Sequence, residues 1–458
     1  YFSLYGNYTY SFKNRYILSG SVRLDQSNLF GTDPKYRYKP FWSVGGKWRL
    51  SEEGFFNSSV VNNMALRVSY GINGNISNTY GPFNMAEFTL PYNLKSPALK
   101  ISTPAINDLR WEKTATTNAG LDLGFFNNRI SLSLDYYIKQ TKDLLALGMA
   151  DPTQGFSSLM YNEANIDNKG IEIGVNTVNI QAKKFNWSTR ITFNHNKNMV
   201  TRVYRDEFYV STPYYAAGIR NFEGMPANSF YIYTYAGLNE EGYPMITTGN
   251  GDELVLVPGF NEEVIDQIDA RDLHNGGTSV PVYSGSVINN LTYGPFGLSF
   301  MFVGSGGHVL LKDSYNGTGG IYLNPAYVHA DAAKGWKQPG DEAHTGIPDV
   351  RELYVYQPNI LLYSTKNVIP GDFIRLRELI FTYTIPQQAL KKTFIKGARF
   401  NLRGNNLFLL TRNRQGIDPE SHGLGARHDR PQGSLGHRAA RRGDRHRANR
   451  TVGRRPTC

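Results

Sequence analysis

The sequence predicts an all-β protein: part of an antiparallel transmembrane β-barrel, roughly a dozen strands with long extracellular loops. Three observations carry this prediction. Segments of strict apolar/polar alternation recur through the first 420 residues, aromatic residues stand near both ends of those segments, and short turns alternate with long irregular connections.

The stretch from Leu121 to Leu145, LDLGFFNNRISLSLDYYIKQTKDLL, shows the first two most plainly. Its second strand places Leu132, Leu134, Tyr136 and Ile138 on one face and Ser131, Ser133, Asp135, Tyr137 and Lys139 on the other. Asn127-Asn128 supplies the turn, since Asn tolerates the left-handed backbone that a tight hairpin requires. From Asn128 to Tyr137 the strand spans about 30 Å, or about 23 Å of vertical rise at a tilt near 40°, close to the apolar band of an outer-membrane barrel. Tyr136, Tyr137, Trp48 and Phe126 are accordingly assigned to interfacial girdles.

The same signature recurs in chain order. It begins with YFSLYGNYTYSF, RYILSGSVRLD, PFWSVGGKWRL and MALRVSYGINGN. Further strands are read at 115–126, 165–178, 185–196, 283–293, 297–303, 372–384 and 398–410. Between them lie turn signals at Lys13-Asn14, Asn127-Asn128 and Tyr293-Gly294-Pro295. The long stretches, about 200–280 and 304–370, would count against a compact soluble domain but are the rule on the outer side of such a barrel.

Composition agrees. In 458 residues there are 30 Tyr, 25 Phe and 46 Gly but only 40% hydrophobic residues, which suits strands with one wet face and many tight turns. No run approaches 18 apolar residues, so a membrane location rests on strands alone. Tyr1 already stands inside a strand pattern and no secretion signal precedes it, so the expectation is a chain whose beginning is missing.

The net charge of +11 does not point to nucleic acid. Residues 421–458 hold ten Arg against two Asp, a net of +8, leaving +3 for the other 420. That tail has no Tyr, Phe, Trp, Ile, Met or Lys and contains the lone Cys458. It is expected to be a disordered basic arm or, the better reading given so abrupt a change, the product of a reading-frame shift. The domain reading is therefore a barrel part over 1–420 and an aberrant Arg-rich tail over 421–458.

No enzyme motif is present: no G-x-S-x-G, H-E-x-x-H, Walker A or Cys-x-x-Cys. The chain is read as non-enzymatic, without a cofactor. His195, His274, His308, His329 and His344 are scattered, with no metal-ligand spacing, and read as solvated loop or lumen residues. Asp341, Glu342 and Asp349 offer loop carboxylates that could join a calcium site, although solvated acids are the commoner case.

Nine blocks also resemble a known family, in its order, across about residues 1–420. They are RYILSGSVRLDQSNLFG, PFWSVGGKWRLSEEGF, LRVSYGINGN, LRWEKTATTNAGLDLGFFNNRISLSLDYYIKQTKDLL, NIDNKGIEIGVN, PANSFYIYTYAGLNEEGYP, PVYSGSVINNLTYGPFGLSFMF, DFIRLRELIFTYTIP and ARFNLRGNNLFLLTRNRQGIDPE. They are similar to successive parts of SusC/RagA-type TonB-dependent outer-membrane transporters of Bacteroidetes. The resemblance implies a 22-stranded barrel around an N-terminal plug, importing glycans and in some members peptides. It also implies two partners: a SusD-like surface lipoprotein, and the TonB–ExbB–ExbD system acting through a TonB box near the plug. Two departures stand out. The plug and first strands have no counterpart here, and Gly416–Glu420 runs into the Arg-rich tail instead of a last strand. A barrel spans lipid because closure leaves no unpaired edge, so the 458-residue chain alone is expected neither to insert nor to transport.

Ring-bearing residues of the long loops are the candidates for ligand contact: Tyr214, Tyr215, Trp336, Tyr354 and Tyr356. An exposed ring can stack on a sugar, and the competing role is packing loop on loop or on the lipoprotein. Arg23, Asp25, Arg49 and Asp135 fall on the lumenal face by the pleat. Two other classes remain: a passive porin or adhesin barrel, distinguished by the absence of a plug and TonB box, and a secreted carbohydrate-binding β protein.

Overall fold

Alternation in the sequence becomes one sheet. A computed structural model describes residues 2–26, 38–75, 80–90, 96–107, 109–150, 158–204, 218–257, 272–312, 330–351, 358–391 and 393–421, together with 153, 155 and 156. Four strands open the chain: β1 (Phe2–Phe12), β2 (Tyr16–Gln26), β3 (Tyr38–Arg49) and β4 (Val61–Asn75). A loop hairpin, β5 (Met85–Thr89) and β6 (Ala98–Thr103), precedes β7 (Glu112–Phe125), β8 (Ile130–Met149), β9 (Ser158–Gln181) and β10 (Phe185–Val203).

The next connection contains six short strands: β11 (Gly218–Arg220), β12 (Ser229–Ile232), β13 (Thr234–Leu238), β14 (Pro244–Thr247), β15 (Glu253–Val255) and β16 (His274–Thr278). Then follow β17 (Tyr283–Tyr293) and β18 (Phe296–Gly306), a loop pair β19 (Val309–Leu311) and β20 (Val368–Pro370), and finally β21 (Phe373–Thr384) and β22 (Arg399–Thr411).

Twelve of these form one antiparallel sheet in the order β1-β2-β3-β4-β7-β8-β9-β10-β17-β18-β21-β22. Each long strand is hydrogen-bonded to its sequence neighbours, so the backbone polar groups of interior strands are satisfied within the sheet. β1 and β22 stand at its two ends.

The tightest connections, 13–15, 126–129, 182–184 and 294–295, share one rim with those over 50–60 and 385–398. The Lys13-Asn14 and Phe126-Asn127-Asn128 turns have positive φ values of 50–59°, as their Asn residues foretell. The opposite rim holds the longest connections, 76–111, 204–282 and 307–372, and there β8, β9 and β10 run longer than their alternation suggests. β9 reaches back to Ser158 and β10 on to Val203, where Ala164, Ile166, Val200 and Ala227 form a buried cluster. Beyond the bilayer neither face meets lipid, so strict alternation is no longer imposed.

Burial is inverted relative to a soluble domain. Large apolar residues on one face of the sheet are exposed, among them Leu4, Leu18, Val44, Val68, Leu134, Ile191, Val287, Phe381 and Leu402. The buried apolar clusters lie among the long connections instead, the main one comprising Tyr233, Ile246, Leu256, Ile360 and Leu361. An exposed apolar face crossing a whole sheet is what lipid contact requires. Near the short-turn rim Tyr16 stacks on Trp48 at 6.3 Å and Phe296 meets Tyr383 in a tilted pair at 5.1 Å; near the other, Trp42 meets Tyr70 at 5.5 Å.

One girdle assignment is corrected. Tyr136 is 45% exposed on the apolar face, but Tyr137 is 7% exposed on the polar one, its hydroxyl 3.2 Å from Asn196 Oδ1. Successive strand residues point to opposite faces, so a Tyr-Tyr pair cannot place both rings in one girdle. Gly170, paired with Tyr137, leaves room for that ring: a Cβ there would lie 2.4 Å from it.

The chain divides into two units, Tyr1–Pro419 and Glu420–Cys458. Only Glu420 and Ser421 of the second are described.

Candidate functional site

The polar face is built row by row from strand register. Asn7, Ser21, Ser43, Gly71, Thr116, Lys139, Asn168 and Asn198 form one cross-sheet row through successive pairings. Ser21 and Ser43 share a 2.6 Å hydrogen bond, Thr192 and Ser286 one of 2.7 Å, and Ser299 donates to Asn290 at 2.8 Å. Hydroxyl and carboxamide groups dominate this lining, each able to donate and to accept.

A hollow of about 470 Å³ opens on this face near the long-loop rim. Tyr5, Arg23 and Phe41 are consecutive partners in one row, with Asn7, Ser21 and Asn73 beside them. Tyr5 is 74% exposed. Asp25, 5% exposed, accepts from Arg23 Nε at 2.7 Å and from Ser3 Oγ at 2.6 Å. Thus Arg23 and Asp25 lie on the lumenal face as the pleat foretells, and they neutralise one another.

Nearer the short-turn rim lies an ion-pair network. Arg67 donates to both oxygens of Asp135, at 3.0 and 2.9 Å, and to both of Asp122, each at 3.0 Å. Lys47 reaches Asp122 at 3.1 Å, and Asn118 donates to Asp135 at 3.2 Å. Two carboxylates are therefore held by two cations, which cross-links β3, β4, β7 and β8.

Of the loop-ring candidates, Trp336 is placed and is 8% exposed. Its Nε1 donates to Glu342 Oε2 at 3.1 Å and its ring lies against Gly242, where a Cβ would sit 2.4 Å away. Tyr214, Tyr215, Tyr354 and Tyr356 lie outside the described residues. The loop carboxylates are engaged locally. Asp341 accepts from the Lys337 N–H at 3.0 Å, and Asp349 is bonded to Arg351 Nε at 2.8 Å. Among the described residues no group of three or more His, Cys, Asp and Glu is arranged to hold a metal ion.

Comparison with known proteins gives this geometry its setting. Residues 1–341 match the family described as "TonB dependent receptor-like, beta-barrel". The chain belongs to that family. It is 29% identical over 438 residues to TonB-dependent receptor P3 of Formosa agariphila, covering 92% of this chain and 42% of that protein. It is 28% identical over 448 residues to TonB-dependent receptor SusC of Bacteroides thetaiotaomicron, covering 91% and 41%. Among solved structures, the RagAB peptide importer in its closed-closed state aligns with a TM-score of 0.73 and 25% identity, over 92% of this chain and 45% of that one. The chain thus spans less than half the length of these relatives.

As a TonB-dependent receptor barrel, the protein belongs to the outer membrane, its short turns periplasmic and its long connections extracellular. Its apolar face meets lipid and its polar face the lumen. At the periplasmic rim Glu53 gathers Tyr16 Oη at 2.6 Å, Trp48 Nε1 at 2.9 Å and Arg15 Nη1 at 3.2 Å. The hydrogen bonds from Tyr16 and Trp48 hold its carboxyl below the usual range.

In the extracellular layer burial drives Tyr231 up to about 12 and His274 and His308 down. Lys366, beneath the Tyr235 ring with Nζ 5.1 Å from its centroid and bonded to the Gly346 carbonyl, is pushed down to about 8 by burial and then by Lys312. Tyr235 bonds the same carbonyl at 2.8 Å and its pKa is raised.

Tyr5 and Arg67 were missed by reading for girdles and conspicuous charges. The register signal was nonetheless present: Tyr5 is in phase with Ser3, Asn7 and Thr9 on β1, and Arg67 with Ser69 on β4.

Proposed function

We propose that this chain is the C-terminal barrel part of an energy-coupled importer of uncharged oligosaccharides. It works with a SusD-like lipoprotein at its extracellular rim, and with TonB–ExbB–ExbD acting through the N-terminal part of the full-length transporter. One observation carries the reading: the lumenal wall is lined with hydroxyl and carboxamide groups around the exposed Tyr5 ring, with Arg23 neutralised by Asp25, and Lys47 and Arg67 by Asp122 and Asp135. A sugar polymer presents donors and acceptors on one edge and an apolar C–H face for a ring, which matches such a wall. A network of neutral partners also lets a ligand pass without a deep electrostatic well.

Peptide import is the second reading, supported by the likeness to the RagAB peptide importer. Uptake by cells expressing the full-length transporter and its lipoprotein separates the two. Labelled neutral oligosaccharides accumulate, dependent on TonB, and peptides of similar mass do not. Accumulation of the peptides alone would move the assignment to the second reading.

A further inference from the structure

The lipid-facing surface is not smooth. Strand register places Phe193, Gly285, Gly304, Ile374 and Leu410 in one cross-sheet row on β10, β17, β18, β21 and β22. The two glycines stand side by side at its centre, so the row is a floor of bare backbone between a Phe wall on one side and Ile374 and Leu410 on the other. Below it, Val287 and Phe302 close the floor with full side chains; above it, Tyr283 pairs with Gly306. The shallow, open hollow so formed has a volume of about 590 Å³, within the roughly 300–1,000 Å³ of small-molecule sites, and its exposed lining is almost wholly apolar.

Its depth and rim narrow the occupant. Gly285 lies two residues from the extracellular end of β17 and eight from its periplasmic end, so the hollow sits in the outer-leaflet half of the band. Arg412 stands at the extracellular end of the hollow with its side chain 73% exposed, 3.8 Å from Asp372. Asp372 is itself engaged by the Gly307 N–H at 3.0 Å. An apolar slot continuous with the lipid-facing band, topped by the exposed Arg412 guanidinium, has the pattern of an acyl chain below an anionic headgroup.

We propose that this hollow binds one acyl chain of an outer-leaflet glycolipid, with the lipid's phosphate over Arg412. The glycines cannot carry the test, because a Cβ at Gly285 would lie 2.6 Å from the Thr192 carbonyl oxygen. Ile374, 52% exposed on the wall, can.

The test is native mass spectrometry of the full-length transporter in detergent, titrated with monophosphorylated lipid A and, in parallel, with a zwitterionic phospholipid. One lipid A adduct is expected. Ile374→Trp should weaken it about tenfold by occupying the slot, and Arg412→Ala severalfold, with the folded band on unheated gels unchanged. Leu134→Trp, on the same outer face but remote from the hollow, should leave it intact. Absence of a discrete adduct, or equal binding by Ile374→Trp and wild type, would overturn the site. Equal binding of the zwitterionic lipid would overturn the glycolipid assignment. Loss of a dimer in Ile374→Trp, without loss of lipid, would assign the hollow to a second copy of the chain and overturn the proposal. None of these outcomes depends on what the barrel transports.

Discussion

Arg67 on β4 reaches Asp135 on β8 across an intervening strand, with Nη2 2.9 Å from Oδ2 and Nη1 3.0 Å from Oδ1. The residue of β7 between them is Gly120, paired with both. A Cβ at that position would lie 2.6 Å from Asp135 Oδ1 and 2.7 Å from Arg67 Cζ. The ion pair therefore depends on a missing side chain as much as on its two charges.

Replacing Gly120 by Val should displace Arg67 from Asp135, and Arg67→Ala should leave Asp135 without its cation. Each is expected to cost about 1–3 kcal/mol, discounted from a buried pair because Arg67 is about a third exposed. The check is the temperature at which the folded band of the full-length transporter converts to the unfolded one on a gel. Both variants should convert at lower temperature, and Arg67→Lys should recover only part of the loss. Conversion at the wild-type temperature would remove the network from the stabilising contacts.

Lys366 and Tyr235 make the extracellular layer respond to pH in opposite senses. Burial lowers Lys366 from 10.5 to about 8 in the folded layer, so between those values the unfolded state binds more protons and stability rises with pH. Burial raises Tyr235 above its ordinary 10.0, so its stabilisation is complete below pH 10 and is lost as pH climbs beyond it. Protection of the Thr365 and Tyr233 amides against hydrogen exchange, corrected for intrinsic rate, should increase from pH 8 to 10 and then fall. The rise is worth up to roughly 3 kcal/mol. Lys366→Met should abolish the rise and keep the fall; a rise that survives the substitution would exclude Lys366 as its source.

The β7–β8 hairpin could be read almost residue by residue, because a bilayer on one side and water on the other impose period two. Arg67 could not be assigned to Asp135, since that pairing depends on register between strands 68 residues apart and on the gap at Gly120. Tyr5 was hidden for a related reason: aromatics in a membrane strand invite a girdle reading, and only its phase with Ser3 and Asn7 places it on the wet face. The loop layer was least legible. Its strands are three to five residues long, and its core joins Tyr233 and Ile246 to Ile360 and Leu361 from more than 100 positions away.

Trp336 and Gly242 test that layer. Gly242 has φ +80° and lies under the indole, so Gly242→Ala combines backbone strain with a direct clash. Trp336→Ala opens a cavity in a buried site, worth about 3–5 kcal/mol. Both should raise protease cleavage within 330–351 of the intact transporter while leaving its folded band on unheated gels. Unchanged cleavage with weakened ligand binding would instead make Trp336 a direct ligand contact.

The most direct measurement is the affinity of the full-length transporter and its lipoprotein for a neutral oligosaccharide, compared between wild type and Tyr5→Ala by isothermal titration. Tyr5 is exposed, so its loss should leave the barrel assembled while raising Kd about five- to twentyfold through the lost stacking surface. An unchanged Kd in a correctly assembled Tyr5→Ala barrel would contradict a lumenal sugar-binding wall.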